Sequence, residues 1–473
     1  MGATRQVTGS MYLLELEDGY KILIDCGIDM DRTRERKIQD SQKNHSIFPF
    51  EPAQINLVLL THAHIDHSGN LPLLYKEGYE GQVLCTLPTY HLTNLLLLDS
   101  ASLHERRLNK ASSKKRRRSK TSHAKLQNDP EIYLEKNVKE TISQFVAVGF
   151  NNPFKVNKNL TVTFNPAGHL LGAASIVLSI NEGDGKRKSI CFSGDVGRWD
   201  FPLLNDPKPL PQVDYLICES TYGNRLHTET RPPEDVLEDV IQRTCIEKAG
   251  RLIIPSFSVG RTQGLLYVLN KLYAQKRLKP IKVFVDTPMG IESTKIHEQM
   301  KSYLNKEAKE FFEDNDELFD FENLILVEKA AKSREITNHT EPCVIIAASG
   351  MIDGGRVTYH VAKNIENDYC TIFMIGYAAE GTLGHELLNG RKEINIDTKK
   401  YTVRAKIEHN DVFSGHADQN DLVRFVKSQN PTTLKGIFLV HGDEQSMFGF
   451  KEVLEKNHYN NVEIPEYMQT FDL

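Results

Sequence analysis

The sequence predicts an α/β fold in two domains, and three observations carry that reading. Short apolar runs with strand character recur along the chain, and several of them end in a residue able to hold a metal or move a proton. Polar, helix-like stretches lie between them, giving the alternation expected of layered α/β architecture. The chain has 473 residues, more than a single hydrophobic core ordinarily supports, and its apolar fraction of 40% supplies material for two.

Taken in order, the first strand-like run, residues 20–24, ends in Asp25-Cys26-Gly27. The second, residues 55–60, runs into Thr61-His62-Ala63-His64-Ile65-Asp66-His67-Ser68-Gly69, with three imidazoles and a carboxylate in six positions. On an extended segment alternate side chains share a face, so His62 and His64 can hold one ion. Ser68-Gly69-Asn70-Leu71-Pro72 then predicts a turn into helix, which lets Asp66 and His67 hold a second. Imidazole with carboxylate and no thiolate is the donor chemistry of zinc in an open hydrolytic site, not a closed structural one. The bland alternative is a His-rich surface loop.

The remaining strand-like runs supply what such a site lacks. Residues 160–165 lead into Pro166-Ala167-Gly168-His169, and residues 188–192 into Ser193-Gly194-Asp195. Residues 215–218 lead into Glu219-Ser220-Thr221-Tyr222-Gly223, and residues 436–440 into His441-Gly442-Asp443. Val412-Phe413-Ser414-Gly415-His416-Ala417-Asp418 reads as another strand end of this kind. Functional side chains on α/β scaffolds collect where strands end. Any one of these residues alone has a structural alternative, as a capping Asp, a salt-bridged Glu or a hydrogen-bonded His. The ordered set makes coincidence a poor account.

Between Glu219 and His416 the chain carries a long insertion. It is preceded by the loop Asn205-Asp206-Pro207-Lys208-Pro209-Leu210-Pro211, and Pro232-Pro233-Glu234-Asp235 opens a helix expected over residues 236–248. Residues 316–328 and 366–373 each pass from polar to strand-like. Residues 256–262 and 350–356 offer backbone amides plus Arg261 and Arg356 to hold phosphates. The competing reading of both segments is tight turns that pack helices on strands.

Composition excludes other classes. Residues 92–98 are too short and too polar for a transmembrane helix, and no signal peptide core is visible. The seven cysteines are scattered without a paired pattern, as expected of a reduced cytoplasm, and Cys26, Cys85, Cys191 and Cys218 lie in apolar runs as core residues. The formal net charge of −5 confines any nucleic-acid footprint to local patches. The strongest patch is Arg106-Arg107, Lys110 and the run 114–120, which fits either phosphate neutralisation or a solvated stretch between helices.

The ordered set resembles the metallo-β-lactamase superfamily, and within it the β-CASP branch of nucleic-acid-processing nucleases, over nearly the whole chain. Asp25 matches the first motif of that superfamily, His62, His64, Asp66 and His67 the second, His169 the third and Asp195 the fourth. Glu219, His416 and His441 match the three motifs particular to β-CASP proteins. The strings Pro255-Ser256-Phe257-Ser258-Val259-Gly260-Arg261-Thr262-Gln263, Ala348-Ser349-Gly350-Met351 with Gly354-Gly355-Arg356, and Glu380-Gly381-Thr382-Leu383-Gly384 are similar to bacterial and archaeal homologues of the cleavage and polyadenylation specificity factor endonuclease. His385 stands where relatives often carry a basic residue, and relatives have a few residues of strand before the Gly2-Ala3 of this chain, so the first strand is expected to be short or trimmed.

The resemblance implies an αββα metallo-β-lactamase sandwich (residues 1–223 and 401–473) with an inserted α/β β-CASP domain (residues 224–400). It implies two zinc ions per chain, one on His62, His64 and His169, the other on Asp66, His67 and His441, with Asp195 bridging and Asp25 orienting a ligand imidazole from behind. The expected catalytic set is Asp66, Glu219 and His416, with His416 as general acid beside Glu219, a carboxylate that favours imidazolium. Arg261, Arg356, Ser349, Gly350 and His385 are the expected substrate contacts. The function implied is a ribonuclease that uses a metal-activated hydroxide to leave 5′-phosphate and 3′-hydroxyl ends, by endonucleolytic cleavage of single-stranded RNA. A homodimer is compatible with this reading and a membrane partner is not. Two alternatives are a small-substrate metallo-hydrolase, which would not need the insertion, and a non-catalytic RNA-processing scaffold, which would have lost ligands that are all present here.

Overall fold

The computed structural model describes residues 2–30, 47–115, 131–183 and 185–473. Apart from the helical backbone of its first two residues, the basic run 114–120 lies outside them. The chain divides into two compact units, one comprising residues 1–199, 206–226 and 416–473, the other residues 200–205 and 227–415.

The first unit is built on two sheets. Strands Tyr12–Glu15, Lys21–Ile24, Leu57–Leu59, Gln82–Thr86 and Phe145–Val148 lie side by side in that order, antiparallel only at the first pair. The other sheet runs Val462–Glu463, Gly436–Val440, Tyr215–Glu219, Lys186–Phe192, Ala174–Gly183, Leu160–Pro166, Phe154–Lys155. Its first four strands are parallel and the rest antiparallel.

The two-residue period of a strand decides which side each residue serves. Ile22, Ile24, Leu57, Leu59 and Leu84 face the second sheet and pack with Phe164, Ile176, Leu178, Phe192, Ile217 and Phe438. Their neighbours Leu23, Val58, Val83 and Cys85 face the other way, onto Leu71, Leu74, Leu97, Val138 and Ile142 of the covering helices. On the far side of the second sheet Cys191, Leu216, Cys218, Ile437 and Leu439 pack with Leu422, Phe425, Met447, Phe450 and Leu454. The result is four layers, helix, sheet, sheet, helix, in which each fully buried Leu, Ile or Phe contributes about 1.5–3 kcal/mol. All seven cysteines are buried and free.

The second unit carries a parallel sheet of six strands, ordered Leu324–Leu326, Lys282–Asp286, Cys343–Ala347, Arg251–Pro255, Thr371–Met374, Lys406–His409. Such a sheet is covered on both faces, and the inner strands are accordingly apolar throughout; Cys343–Ala347 is buried at every position. Among the described residues no helix is long and apolar enough to cross a membrane.

Three details differ from the sequence reading. The second unit extends to Gly415, not to residue 400, because strand Lys406–His409 adds to the edge of its sheet. His416 follows no strand: it lies in the irregular segment between Lys406–His409 and helix Gln419–Val426. The helix opened by the prolines is Pro233–Ile241, continued by a π-helical turn Gln242–Glu247.

Candidate metal centre

Backbone geometry at the carboxyl ends of the first unit's strands aims the donor groups inward. Asp25 follows Lys21–Ile24 at φ +57°, and His441 follows Gly436–Val440 at φ +50°, both in the left-handed region that non-glycine residues rarely occupy. After Leu57–Leu59 the chain stays extended through His62 and His64, then enters a helical turn at Ile65, so Asp66 and His67 are already helical.

Hydrogen bonds behind the cluster set which ring nitrogens face it. The buried Asp25 carboxylate accepts from the Thr61 amide at 2.8 Å, the Thr61 hydroxyl at 2.8 Å and His67 Nδ1 at 2.7 Å. Held through Nδ1 by Asp25, His67 turns its Nε2 to the interior, 3.2 Å from Ser10 Oγ. The Thr61 hydroxyl, having donated to Asp25, accepts from His62 Nδ1 at 3.1 Å and leaves His62 Nε2 bare. Thr221 Oγ1 stands 3.1 Å from His441 Nδ1, which turns His441 Nε2 toward Asp66 Oδ2 at 3.5 Å.

The facing nitrogens then converge in two groups. His62 Nε2 is 3.2 Å and His169 Nε2 is 3.1 Å from His64 Nδ1. Ligand nitrogens around a tetrahedral zinc, at a bond length of about 2.0–2.1 Å, stand about 3.3–3.4 Å apart. Donor atoms of His62, His64, His169 and Asp195 lie within 4.8 Å of one another, as do those of Asp66, His67 and His441. Asp195 addresses both groups: Oδ2 is 3.5 Å from His62 Nε2 and from His169 Nε2, while Oδ1 is 3.2 Å from His67 Nε2 and 3.6 Å from His441 Nδ1. Oδ1 is buried and has no hydrogen-bond partner of good geometry among the described residues, its facing atoms being the ring nitrogens of His67 and His441. A buried carboxylate oxygen without a donor is costly. A cation would complete it, so the residues present fit a metal pair.

The electrostatics agree. Burial lowers His62 and His64, the latter to about 4, so both are neutral and able to ligate at neutral pH. Burial also opposes charge on His67 and His441, yet Asp195 together with Asp25 or Asp66 outweighs it and raises both. Burial works against ionised Asp195 as well, but the surrounding imidazoles hold it well below the usual carboxylate range, and Asp66 is pushed down to about 2. The carboxylates therefore draw protons onto imidazoles where they lack a metal.

Beside this cluster stands a histidine required by neither group. His416 Nδ1 is 3.3 Å from Glu219 Oε1, its Nε2 is 4.0 Å from Asp195 Oδ2, and its ring centroid is 4.4 Å from that of His169. Glu219 is fully buried and also accepts from the Val196 amide. An imidazole anchored through Nδ1, with Nε2 toward the cluster and 17% side-chain exposure, is placed to pass a proton to a reacting oxygen. Thr61 and Thr221 were not singled out in the sequence; their only signal is a hydroxyl at a strand end.

The expected substrate contacts separate within the second unit. Arg261 opens helix Arg261–Ala274 with its guanidinium 4.7 Å from the Phe257 ring centroid, and a Cβ on Gly350 would meet that same ring at 2.8 Å. The Ser349 hydroxyl bonds Asp353. Arg356 is engaged elsewhere: Nη1 donates to Asp286 Oδ1 at 2.5 Å and Val327 O at 2.8 Å, and Nη2 to Glu328 O at 2.5 Å. His385 Nδ1 donates to Ala378 O at 3.3 Å.

Residues 4–198 match the metallo-β-lactamase superfamily, residues 262–387 the β-CASP domain, and residues 400–465 a Zn-dependent metallo-hydrolase RNA specificity domain. A ribonuclease of Thermus thermophilus is 29% identical over 96% of this chain and 94% of its own length. Transcription termination factor FttA of Methanosarcina mazei is 31% identical over 94% of this chain and 67% of its own length. An RNase J-like protein of Methanocaldococcus jannaschii is 28% identical over 99% and 96%. A crystal structure of a protein of unknown function from Enterococcus faecalis shares the fold, with a TM-score of 0.51 and 12% identity over 98% of this chain and 96% of that one.

Proposed function

Since the chain belongs to the β-CASP branch of the metallo-β-lactamase superfamily, a family of metal-dependent hydrolases, we propose that it is a zinc-dependent ribonuclease. One observation carries the reading most directly: the two oxygens of Asp195 face two separate donor groups, and an unused histidine stands beside them. RNA as the substrate draws support from the RNA specificity domain matched at residues 400–465 and from relatives named as ribonucleases. Seven imidazole and carboxylate donors with no thiolate favour zinc.

In this proposal His62, His64 and His169 would hold one ion and Asp66, His67 and His441 the other, with Asp195 facing both groups. A metal pair there supplies Lewis acidity, polarising phosphoryl oxygens and making a water nucleophilic near neutral pH. The chain's own residues do the rest. Asp25 and Thr61 lock the tautomers of His67 and His62. His416 gives its Nε2 proton to the departing 3′-oxygen while Glu219 steadies the imidazole through Nδ1. The ends produced are a 5′-phosphate and a 3′-hydroxyl, and cleavage is endonucleolytic. All donors come from one chain, so no second copy is needed to complete the site.

The test combines metal analysis with incubation of the zinc-loaded protein on end-labelled linear RNA, circular RNA and matched DNA. Two zinc ions per chain and cleavage of circular RNA, with DNA left intact, are expected. One metal or none at saturating zinc, or resistance of both RNAs, overturns the reading; cleavage of linear RNA alone overturns only the endonucleolytic part.

A further inference from the structure

The segment that carries Glu219 continues into Tyr222-Gly223-Asn224-Arg225, and none of these four residues has a part in metal binding or proton transfer. Their geometry ties them closely to the acid. The Tyr222 ring meets the His416 ring edge-on with centroids 5.9 Å apart, and the Arg225 guanidinium carbon lies 4.1 Å from the centre of the Tyr222 ring. Tyr222 is buried whereas Arg225 is exposed. The stack therefore runs outward from the acid to a cation at the surface of the same unit.

This stack is held from several sides. The Arg225 amide donates to Tyr222 O at 3.2 Å, closing a turn. Gln419, three residues after His416, donates its amide to Arg225 O at 3.0 Å and its side chain to Gly223 O at 2.7 Å. Asn224 Oδ1 accepts from Ser446 Oγ at 3.2 Å, and a Cβ on Gly223 would fall 2.5 Å from Phe450 Cβ and 2.6 Å from Ser446 O, so glycine alone fits. The cation is thus fixed in relation to His416 by hydrogen bonds from Gln419, which opens the helix just after the acid. Ring stacking on Tyr222 further restrains its rotamers, lowering the entropy lost when it engages a ligand.

We propose that Arg225 is a positioning residue that binds the RNA phosphate one step 5′ of the scissile phosphate. The inference rests on the ribonuclease reading and on His416 as the acid. That acid protonates the 3′-oxygen of the upstream nucleotide, so a cation anchored on the acid's outer side meets the phosphate at that nucleotide's 5′ side. A guanidinium binds a phosphate through charge-assisted, often paired hydrogen bonds, and such phosphate contacts fix the register of a nucleic-acid strand. On a chain of net charge −5 such a local cation also contributes register that bulk electrostatics cannot supply.

The test pairs Arg225→Met with an RNA that carries one uncharged methylphosphonate at the phosphate 5′ of a defined cleavage site, using zinc-loaded full-length protein. On unmodified RNA, Arg225→Met should raise KM by roughly 10–100-fold, the value of a lost charge-assisted pair, with zinc content unchanged and Arg225→Lys intermediate. On the methylphosphonate RNA, wild type and Arg225→Met should converge, because the partner charge is already gone. A full Arg225→Met penalty on the methylphosphonate RNA, or an unchanged KM on unmodified RNA, overturns the assignment while leaving the nuclease reading intact. A wild-type protein that cleaves no RNA overturns both.

Discussion

His416 differs from its neighbouring histidines in what its loss should do. His416→Ala should keep its full metal content and its affinity for RNA, yet cleave about 10²–10⁴-fold more slowly, as befits a missing general acid. A substrate with a bridging 3′-sulfur at the scissile position needs little protonation and should recover much of that rate; absence of rescue, or loss of zinc, would show His416 to be a ligand or structural. Asp195→Ala makes the opposite prediction. It removes the one carboxylate that faces both donor groups, so metal analysis should show loss of zinc together with activity. An alanine variant that retains both ions would refute the bridging role. At this scale the sequence was informative about residue types and nearly silent about their supports. His62, His64, Asp66 and His67 announce themselves by density, but Thr61 earns its place only because strand pairing puts it against Asp25, 36 positions earlier.

Elements were legible where apolar runs are bounded by small residues, and less so where tertiary context decides. Gly436–Val440 is a fully buried run, and its limits in the structure are those of the sequence pattern. Val412 and Phe413 are as apolar as any strand end, yet they bury themselves in a loop, and His416 reaches the cluster from irregular backbone. The helix that follows, Gln419–Val426, carries an electrostatic cost. Burial, reinforced by the charge of Asp418, raises Asp421 to about 6 from its ordinary 3.8, although the Trp199 amide opposes this. An acid whose folded pKa lies above its unfolded one stabilises the fold when protonated, so stability is lost as pH rises from about 4 through 6 and is level beyond. Asp421→Asn should therefore raise the melting temperature at pH 7 and leave it unchanged near pH 4. A gain of equal size at both values would refute the assignment.

For the whole molecule, the sandwich and its insertion could be read from motif order, whereas the sheet that strand Lys406–His409 joins could not. Residues 401–415 carry no signal that strand Lys406–His409 joins the inserted unit's sheet, because an edge strand is chosen by its neighbour and not by its own pattern. Metal should act on the stability of the first unit as a ligand does. Each ion bound only by the folded state adds about 2.7 kcal/mol at a free concentration 100-fold above its Kd. Chelation should accordingly lower the calorimetric transition of the first unit, and added zinc should restore it. A melting curve indifferent to zinc would contradict a metal site buried among its two sheets.

The parallel pairing of Tyr215–Glu219 with Gly436–Val440 has a consequence for synthesis. The donor set begins at His62 and closes only at His441, so a ribosome has produced most of the polypeptide before the second group can assemble. At about 5–20 residues per second, the 379 positions between those histidines take on the order of 20–80 s. Throughout that interval the nascent chain, tethered beside the very messenger it is read from, lacks the last histidine that would arm it.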